Sequence, residues 1–473
     1  MVKPVAIIGA GASGAAAAAA LKAEDYHTKI TIFERRETAG GTWIYDDDPG
    51  ELPLLPGLLP PEADKPLPAP THLPTTTEPT TQNRFDRTPI YAELTTNVPD
   101  VAMSFTKIPF PYGPFVPHHV PKQYIENYFS WHQTDSSLVL NTTVEDLVRL
   151  PKDRWRLVLR VHDASRKVDE WWEEEFDAVI LANGHYSVPF IPNVTGLEAY
   201  LRKFPGRVEH SKTYRTPKAY GGQKVVVVGN SGFGRPIYNS RRSQGRCDGA
   251  KPEPGVAWLP VIEEFRSDGS ILFADGTVLR DIDKVIYCTG YKVSHPFWNS
   301  SKNGRHLYDY ATDRIVNNYQ HTFIRDFPTL AFIGFPRVLT FRSFEYQAIA
   351  IARLWSNRST RPLPHTAEQQ SWEEDRAQMT KAERRKFHQI DWDNGESMDW
   401  FRWLFEFAGL PQLEGHGRCP PVLDTGTRWA IEHIRKYPGP QSAGCGEVQS
   451  FREVVDEEGR EVVERHQDNL SFL

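Results

Sequence analysis

Six residues near the amino terminus combine three glycines with a serine, in the order Gly9-Ala10-Gly11-Ala12-Ser13-Gly14. Glycines at this spacing permit a tight bend, a close approach of the backbone to a pyrophosphate, and close packing of a following helix. Glu34 lies twenty positions beyond Gly14 and would accept hydrogen bonds from a ribose diol. A carboxylate repels a 2′-phosphate, so the pattern favours FAD or NAD over NADP. The alternative is a glycine turn with a purely structural role.

The residues around this turn have the pattern of a strand, a helix and a second strand. Lys3 to Ile8 is a short apolar run, Ala15 to Lys22 is rich in alanine, and Lys29 to Phe33 is mostly β-branched or aromatic. The helix would begin at the turn and present free N–H groups and the positive end of its dipole to an anion. The sequence therefore predicts a βαβ unit that binds a dinucleotide.

A second strand and glycine turn follow in the middle of the chain. Lys224 to Val228 is an apolar run that leads into Gly229-Asn230-Ser231-Gly232-Phe233-Gly234. Two units of this kind in one chain predict two bound nucleotides. They also predict an α/β fold with two Rossmann-like dinucleotide-binding domains.

The rest of the chain alternates between further predicted elements and one irregular segment. Residues 46–89 are rich in proline, which removes backbone donors, and we expect an irregular, mobile surface insertion there. Helices are predicted at Lys122 to Trp131, Phe344 to Trp355 and Met398 to Phe407, and strands at Trp155 to Val161, Phe176 to Ala182, Lys284 to Cys288 and Leu330 to Gly334. A hairpin is predicted around Asp275-Gly276.

Composition excludes several classes of function. The 473 residues carry a formal net charge of −6, which gives no general attraction to nucleic acid or acidic lipid. No apolar window is long enough for a membrane span. The four cysteines, Cys247, Cys288, Cys419 and Cys445, form no spaced pair, so neither a disulfide framework nor a metal site is expected. We expect a cytoplasmic protein; the sequence is silent on its oligomeric state.

Several segments resemble those of the flavin-containing monooxygenases, class B flavoproteins that bind FAD and NADPH in two Rossmann-like domains. The similar segments are Gly40 to Trp43, Leu94 to Pro99 (Leu-x-Thr-Asn-x-Pro in the family), Asn183-Gly184-His185, Phe204 to Arg215 (Phe-x-Gly-x-x-x-His-x-x-x-Tyr/Phe), Thr289-Gly290-Tyr291 and Phe344 to Ala348. The resemblance runs from residue 5 to about residue 355.

The resemblance implies a division of the chain and a set of cofactor-binding residues. Residues 1–211 and 326–473 would form the FAD domain, and residues 212–325 an inserted NADPH domain. The implied cofactor-binding residues are Gly9, Gly11, Ser13, Gly14, Glu34, Gly41, Thr42, Trp43 and Asn97 for FAD, and Gly229, Ser231, Gly232, Gly234 and Thr289 for NADPH.

The implied reaction is hydride transfer from NADPH to FAD, followed by O2 addition to give a C4a-hydroperoxyflavin that oxygenates a small-molecule substrate. The flavin supplies the chemistry, and the protein supplies a dry, hydrogen-bonding cavity. Asn97 is the implied catalytic residue, because a neutral amide both donates and accepts hydrogen bonds. Without the resemblance, Asn97 before Val98-Pro99 would be interpreted as a turn residue. His210 is assigned a linker role, with a hydrogen-bonded core histidine as the alternative.

The sequence departs from the family pattern in two places. After Gly234 the chain reads Arg235 to Arg246 without helical periodicity, and the next strand pattern is Val256 to Leu259, so part of the second unit is expected to be missing. Arg241, Arg242 and Arg246 would then meet the NADP 2′-phosphate, or form a solvated basic loop. Tyr214-Arg215 stands where Baeyer–Villiger relatives usually have Trp.

These departures bear on three possible functions. Tyr214 favours N- or S-oxygenation over Baeyer–Villiger ketone insertion. The resemblance also makes secondary-metabolite biosynthesis a candidate role. The shortened second unit leaves a third reading open, an FAD-binding protein without NADPH turnover. The expected partners are a small molecule with a soft nitrogen or sulfur, and O2.

Overall fold

The computed structural model describes residues 3–80, 85–229, 238–242, 252, 255–336, 338–411, 415–434 and 436, and the backbone of 451–455 and 461–465. The helices are α1 (Ala12–Ala23), α2 (Pro60–Ala63), α3 (Asp100–Met103), α4 (His119–Trp131), α5 (Leu197–Lys203), α6 (Ser300–Asn303), α7 (Phe341–Trp355), α8 (Thr366–Ala382), α9 (Glu396–Ala408) and α10 (Thr425–His433).

The strands are numbered in the same way. They are β1 (Pro4–Ile8), β2 (Lys29–Phe33), β3 (Thr75–Thr77), β4 (Leu138–Val139), β5 (Thr142–Leu150), β6 (Arg154–Asp163), β7 (Val168–Phe176), β8 (Ala178–Leu181), β9 (Val188–Pro189), β10 (Val208–His210), β11 (Val225–Val228), β12 (Tyr238–Ser240), β13 (Ala257–Leu259), β14 (Ile262–Phe265), β15 (Ile271–Phe273), β16 (Val278–Leu279), β17 (Lys284–Tyr287), β18 (Tyr291–Lys292), β19 (Tyr308–Asp309), β20 (Arg314–Ile315), β21 (Asn318–Tyr319), β22 (Phe323–Ile324), β23 (Leu330–Phe332), β24 (Phe451–Val455) and β25 (Glu461–Arg465).

The first large sheet has the order β21-β22-β23-β8-β1-β2-β4. Its strands from β23 to β4 are parallel, and β22 and β21 extend it antiparallel at one edge. Parallel neighbours require crossover connections, which here include α1 between β1 and β2. The sheet takes strands from residues 4–181 and from residues 318–332, which lie on either side of the second sheet's strands in the sequence.

Both faces of this sheet are covered, and its central strands β1 and β8 are apolar throughout. Val5 and Ile7 of β1 lie in a buried cluster with the side chains of α1, α4, α7 and α9. The alternate residues, Ala6 and Ile8, lie in a second buried cluster with β5, β6 and β7. Those strands belong to a four-stranded antiparallel sheet of order β3-β7-β6-β5. The period of two along β1 thus produces three layers: helices, parallel sheet and antiparallel sheet.

The second large sheet has the order β10-β17-β11-β12-β13 and is parallel throughout. With the first sheet, it confirms the prediction of an α/β fold with two Rossmann-like units. β10 precedes residue 212 but pairs in the second sheet, and β21 and β22 precede residue 326 but pair in the first. The domain bounds expected from the sequence stay a prediction.

One expectation for the second unit is corrected. The sequence suggested no strand between Gly234 and Val256, but β12 (Tyr238–Ser240) pairs directly with β11, and β13 follows as the edge strand. Residues 229–237 connect β11 to β12, whereas residues 9–28 connect β1 to β2. The second unit therefore has a shorter crossover than the first but keeps the strand that pairs with β11. The strand was not predicted because Tyr238-Asn239-Ser240 has no apolar pattern, and pairing with the strands on both sides stabilises it.

The proline-rich insertion 46–89 is also corrected, because its described part is anchored. Asp46 is buried and pairs with Arg36 at 2.8 Å, and β3 within the insertion pairs with β7. Phe85 is buried, and its carbonyl accepts a hydrogen bond from the Lys212 ammonium at 2.9 Å. The prolines make the segment irregular, while these contacts hold it against the body of the protein.

No helix in the described part of the chain has the length and apolar character needed to cross a membrane.

Candidate functional site

The first glycine turn has the close backbone contacts that the sequence predicts. Gly9 has φ of +107°, and its N–H donates to the carbonyl of Phe33 at 2.8 Å. A Cβ at Gly9 would lie 2.6 Å from the Ala182 carbonyl oxygen, and a Cβ at Gly14 would lie 2.0 Å from the Gly9 oxygen. Both positions therefore require glycine, because neighbouring backbone fills the space.

A second glycine segment packs against this turn. The N–H of Gly40 donates to the carbonyl of Ala10 at 3.0 Å, and a Cβ at Gly41 would come within 2.8 Å of the Cα of Gly11. α1 begins after Gly11 without any side chain that caps it. The turn thus places the free N–H groups of the helix beside two glycine backbones, at Gly11 and Gly41, that have no side chains. This arrangement suits a pyrophosphate. Ser13 lies at this helix end, nearly buried.

Glu34 lies where β2 ends, with its carboxylate held by the backbone. The N–H of Ala10 donates to Oε2 at 2.8 Å, and the N–H of Arg36 donates to Oε1 at 2.9 Å. An ionised carboxylate has about four acceptor positions, so two remain for ribose hydroxyls. The two backbone bonds fix Glu34 for that contact.

A cavity opens at the carboxyl ends of β1 and β2, where ligands bind in doubly wound sheets. Its lining residues come from six segments of the chain: Ile8 and Gly9; Phe33, Glu34 and Arg35; Asp64; Thr142, Thr143 and Val144; Asn183 and Ser187; and Ser294, Pro296 and Phe297. Glu34 and Gly9 belong to both the turn and the cavity. A ligand bound in this cavity would therefore also contact the first glycine turn.

The remaining residues predicted for FAD lie on the other side of the turn. Thr42 and Trp43 form a single helical turn after Gly40, and the Trp43 ring packs edge-on against Phe341 at the start of α7. Asn97 is partly buried, and its neighbour Val98 belongs to the same core cluster as Trp43 and Phe341. Asn97 is thus next in sequence to a residue of the cluster against which Trp43 packs.

Gly229, the first glycine of the second turn, repeats the backbone environment of Gly9. Gly229 has φ of +116°, its N–H donates to the carbonyl of Ser240 at 2.9 Å, and a Cβ there would lie 2.6 Å from the Cys288 carbonyl oxygen. Cys288 therefore occupies the place that Ala182 has beside Gly9. The two units therefore place their first glycine in the same way between two strand ends.

Arg241 occupies the position in the second unit that Glu34 has in the first, since each directly follows the strand that accepts from the glycine N–H. The Arg241 guanidinium carbon lies 3.4 Å from the centroid of the Trp258 ring on β13. A guanidinium at this position would suit a phosphate, because it donates two parallel hydrogen bonds and carries the opposite charge. A carboxylate in the same place suits a diol, whose hydroxyls donate to it. Of the other two arginines considered, Arg242 is exposed and Arg246 lies outside the described residues.

The last predicted residues are Thr289 and three glycine-turn positions. Thr289 follows β17 beside the turn, and its hydroxyl donates to the carbonyl of Phe190. Ser231, Gly232 and Gly234 lie outside the described residues.

His210 lies on β10, fully buried and hydrogen-bonded through both nitrogens. Nδ1 accepts from the N–H of Lys212 at 3.1 Å, so Nε2 carries the proton that it donates to the Gly290 carbonyl at 3.1 Å. Burial lowers the pKa of His210 to about 4. His210 is therefore neutral at physiological pH and joins the end of β10 to the turn after β17.

Two cations beside His210 were missed by sequence reasoning. Lys212 is buried, and burial lowers the pKa of its ammonium to about 7. Arg215 is buried too, and its guanidinium donates to the carbonyls of Thr88 at 3.1 Å and of Asp46. Both therefore hold the proline-rich insertion to the connection between the sheets. No sequence pattern signals this, because solvated lysines and arginines have the same local context.

Within the described ranges, no group of three or more His, Cys, Asp or Glu side chains could hold a metal ion.

Comparisons with known proteins agree with this geometry. The profile of the flavin-binding monooxygenase-like family matches residues 79–243 and 255–402, and that of an NAD(P)-binding Rossmann-like domain matches residues 7–57. The flavin-containing monooxygenase FMO GS-OX5 of Arabidopsis thaliana is 29% identical, with 91% of this chain and 92% of the relative covered.

Two solved structures are also similar. The S-allyl-L-cysteine S-oxygenase of Allium sativum superposes with a TM-score of 0.69 at 25% identity, covering 92% of each chain. The closed form of cyclohexanone monooxygenase gives a TM-score of 0.53 at 13% identity, covering 81% of this chain and 90% of the other, a likeness of fold alone.

Proposed function

The chain belongs to the flavin-binding monooxygenase-like family, and from this premise we propose that it oxygenates a soft nitrogen or sulfur atom of a small molecule. It is a flavin-dependent oxidoreductase that uses FAD, NADPH and O2. The observation that carries the proposal is the matching backbone environment of Gly9 and Gly229, with Glu34 directly after the strand that bonds to the first and Arg241 directly after the strand that bonds to the second.

Each half of this pair suits a different nucleotide. The first turn would hold the FAD pyrophosphate at the start of α1, with the diol of the adenosine ribose on Glu34. The second would hold NADPH, with its 2′-phosphate on Arg241. Bound FAD supplies hydride acceptance and oxygen activation, chemistry that no amino-acid side chain provides. We keep residues 1–211 with 326–473 as the proposed FAD domain and residues 212–325 as the proposed NADPH domain.

The contribution of the chain's own residues is to orient and to exclude water. Val98 belongs to a buried apolar cluster, and the partly buried Trp43 ring packs against that cluster, so apolar side chains would exclude water from the neighbouring space. Asn97 borders this cluster and would place a neutral amide next to the flavin, where it donates or accepts a hydrogen bond without adding charge.

Oxygenation of sulfur or nitrogen is favoured over ketone insertion by two observations. The similar structure from Allium sativum is an S-oxygenase that matches over 92% of this chain, whereas cyclohexanone monooxygenase shares the fold only. Tyr214 stands where Baeyer–Villiger relatives usually have Trp. Comparing one sulfide, one tertiary amine and one cyclic ketone as substrates distinguishes these reactions. A role in secondary metabolism and a cytoplasmic location remain predictions.

A second candidate function is FAD binding without NADPH turnover. The short connection 229–237 favours it, because a parallel crossover normally has a dozen or more residues.

One experiment tests the proposal against this second candidate. Purified protein is mixed with NADPH under argon, and the flavin absorbance is followed near about 450 nm, where the oxidised cofactor absorbs. Bleaching supports the monooxygenase. Yellow protein that dithionite bleaches and NADPH does not would contradict NADPH turnover and support the second candidate.

A further inference from the structure

The proline-rich insertion contributes one side chain to the cavity beside the first glycine turn. Asp64 lines this cavity together with Glu34, Arg35, Asn183 and Ser294. Among the insertion residues that the structure describes, Asp64 alone lines it. The insertion thus reaches the site that the turn builds, although the sequence places it on the surface.

Asp64 is held in place by contacts from distant parts of the chain. It directly follows α2, and its N–H donates to the carbonyl of Pro60 at 2.8 Å. Its side chain is buried, with 4% of the residue exposed, and Oδ2 accepts from the hydroxyl of Ser294 at 2.7 Å. Just before α2, the N–H of Gly57 donates to the carbonyl of Ile191 at 2.9 Å. The carboxylate therefore has a fixed position at the cavity wall.

The chemistry of the cavity indicates what Asp64 would bind. A carboxylate accepts hydrogen bonds and repels phosphate, so a ligand group next to Asp64 must be a donor. The adenosine half of a dinucleotide offers such donors in its ribose hydroxyls and its 6-amino group. Glu34 already receives a backbone N–H on each oxygen, which leaves it half of its acceptor positions. A second carboxylate would satisfy donors that Glu34 does not reach.

We propose that Asp64 is an FAD-binding residue that accepts a hydrogen bond from the adenosine half of the cofactor. The inference rests on the proposed function, since it requires FAD at the first turn. It assigns the insertion a role in cofactor affinity. Ser294 acts as a positioning residue that orients the Asp64 carboxylate through its hydroxyl.

The test measures the affinity of FAD-free protein for flavins by quenching of flavin fluorescence. Asp64→Ala and Asp64→Asn are compared with wild type and with Glu62→Gln, a matched control at an exposed position of α2. A hydrogen bond to a charged partner contributes enough that its loss should raise the Kd for FAD by about 10- to 100-fold in Asp64→Ala. Asp64→Asn should show a smaller rise, and Glu62→Gln none.

Two further ligands separate a direct contact from a structural effect. FMN lacks adenosine, so its Kd should be the same for wild type and both Asp64 variants. Flavin–hypoxanthine dinucleotide lacks the 6-amino group. If Asp64→Ala raises the Kd for this ligand as much as it raises the Kd for FAD, Asp64 contacts the ribose. If the Kd for this ligand does not change in Asp64→Ala, Asp64 contacts the amino group. Either result supports the proposal.

Two results would overturn it. One is an unchanged Kd for FAD in both Asp64 variants, and the other is an equal loss of FAD and FMN binding, which would mark a structural role. The midpoint of thermal unfolding without FAD verifies folding, and the isosteric Asp64→Asn serves if Asp64→Ala fails to fold. Wild-type protein that binds no FAD would instead contradict the proposed function itself.

Discussion

Glu34 and Arg241 occupy equivalent positions in the two dinucleotide-type units and carry opposite charges. Each directly follows a strand whose last residue accepts from the N–H of the first turn glycine, at 2.8 Å for Phe33 and 2.9 Å for Ser240. In a βαβ unit this position faces the ribose of the nucleotide. The difference in charge therefore matches a diol in one unit and a 2′-phosphate in the other.

Replacing Arg241 should reduce the preference for NADPH over NADH. In Arg241→Ala the 2′-phosphate loses a charge-assisted partner, and the KM for NADPH should rise about 10- to 100-fold. The KM for NADH, which has no 2′-phosphate, should stay within about twofold of wild type. Steady-state kinetics with both nucleotides measures this. Arg280→Ala, an exposed arginine in the same region, is the control. Equal losses with the two nucleotides would exclude phosphate recognition by Arg241.

Replacing Asn97 should uncouple NADPH oxidation from oxygenation. Asn97→Ala removes the neutral amide and leaves both glycine turns intact, so the rate of anaerobic flavin reduction should stay within about twofold of wild type. The fraction of electrons that ends in H2O2 should rise several-fold, because the variant loses a hydrogen bond that stabilises the oxygenating state.

Peroxide yield per NADPH consumed is the quantity to measure for Asn97→Ala. Asn127→Ala on the exposed face of α4 serves as its control. Coupling equal to that of wild type would remove the role assigned to Asn97.

A methyl group at Gly229 should disable the second unit and spare the first. The Cβ of Gly229→Ala would lie 2.6 Å from the Cys288 carbonyl oxygen, in a backbone conformation that already costs about 1 to 3 kcal/mol for a non-glycine residue. The protein should remain yellow, while its reduction by NADPH slows by at least about tenfold.

Stopped-flow reduction and the ratio of flavin to protein measure these two effects. Gly222→Ala is the matched control, because Gly222 also has positive φ, +75°, and has nothing within 4 Å of its Cβ position. Normal reduction in Gly229→Ala would show that the second turn does not hold NADPH. A colourless variant would show that the two units are not independent.

Burial of His210 should make the protein sensitive to acid. Its pKa is about 4 when folded and 6.5 in the ordinary state, so between these values the unfolded chain binds a proton that the folded chain does not. Stability is therefore lost as the pH falls from 6.5 to 4, by about 3 kcal/mol from this group. His210→Gln keeps a donor and an acceptor but does not titrate, and its loss of stability over this range should be smaller.

Urea unfolding of the FAD-free protein at several pH values measures the contribution of His210. His72→Gln, at an exposed position, should follow the wild-type curve. Parallel curves for His210→Gln and wild type would refute the assignment.

Local patterns determined most of the architecture. β1, α1 and β2 follow from apolar periodicity and from glycines whose Cβ atoms would strike neighbouring backbone, and these features lie within one stretch of the chain. The helices at 119–131, 341–355 and 396–408 lie within a few residues of their predicted bounds. These elements are predictable because burial of one face of a helix or strand leaves a period in the sequence.

Long-range contacts decided what sequence patterns did not. Asp64 reaches the cavity through Ser294, which lies 230 positions away, and Lys212 is buried because it donates to Phe85, 127 positions away. β12 exists because β11 and β13 flank its polar residues. None of these features can be read from the local sequence, because the sequence around a charged residue is the same whether the residue lies in a solvated loop or in a cavity wall. The free energy that distinguishes the two comes from partners that only the folded chain brings together.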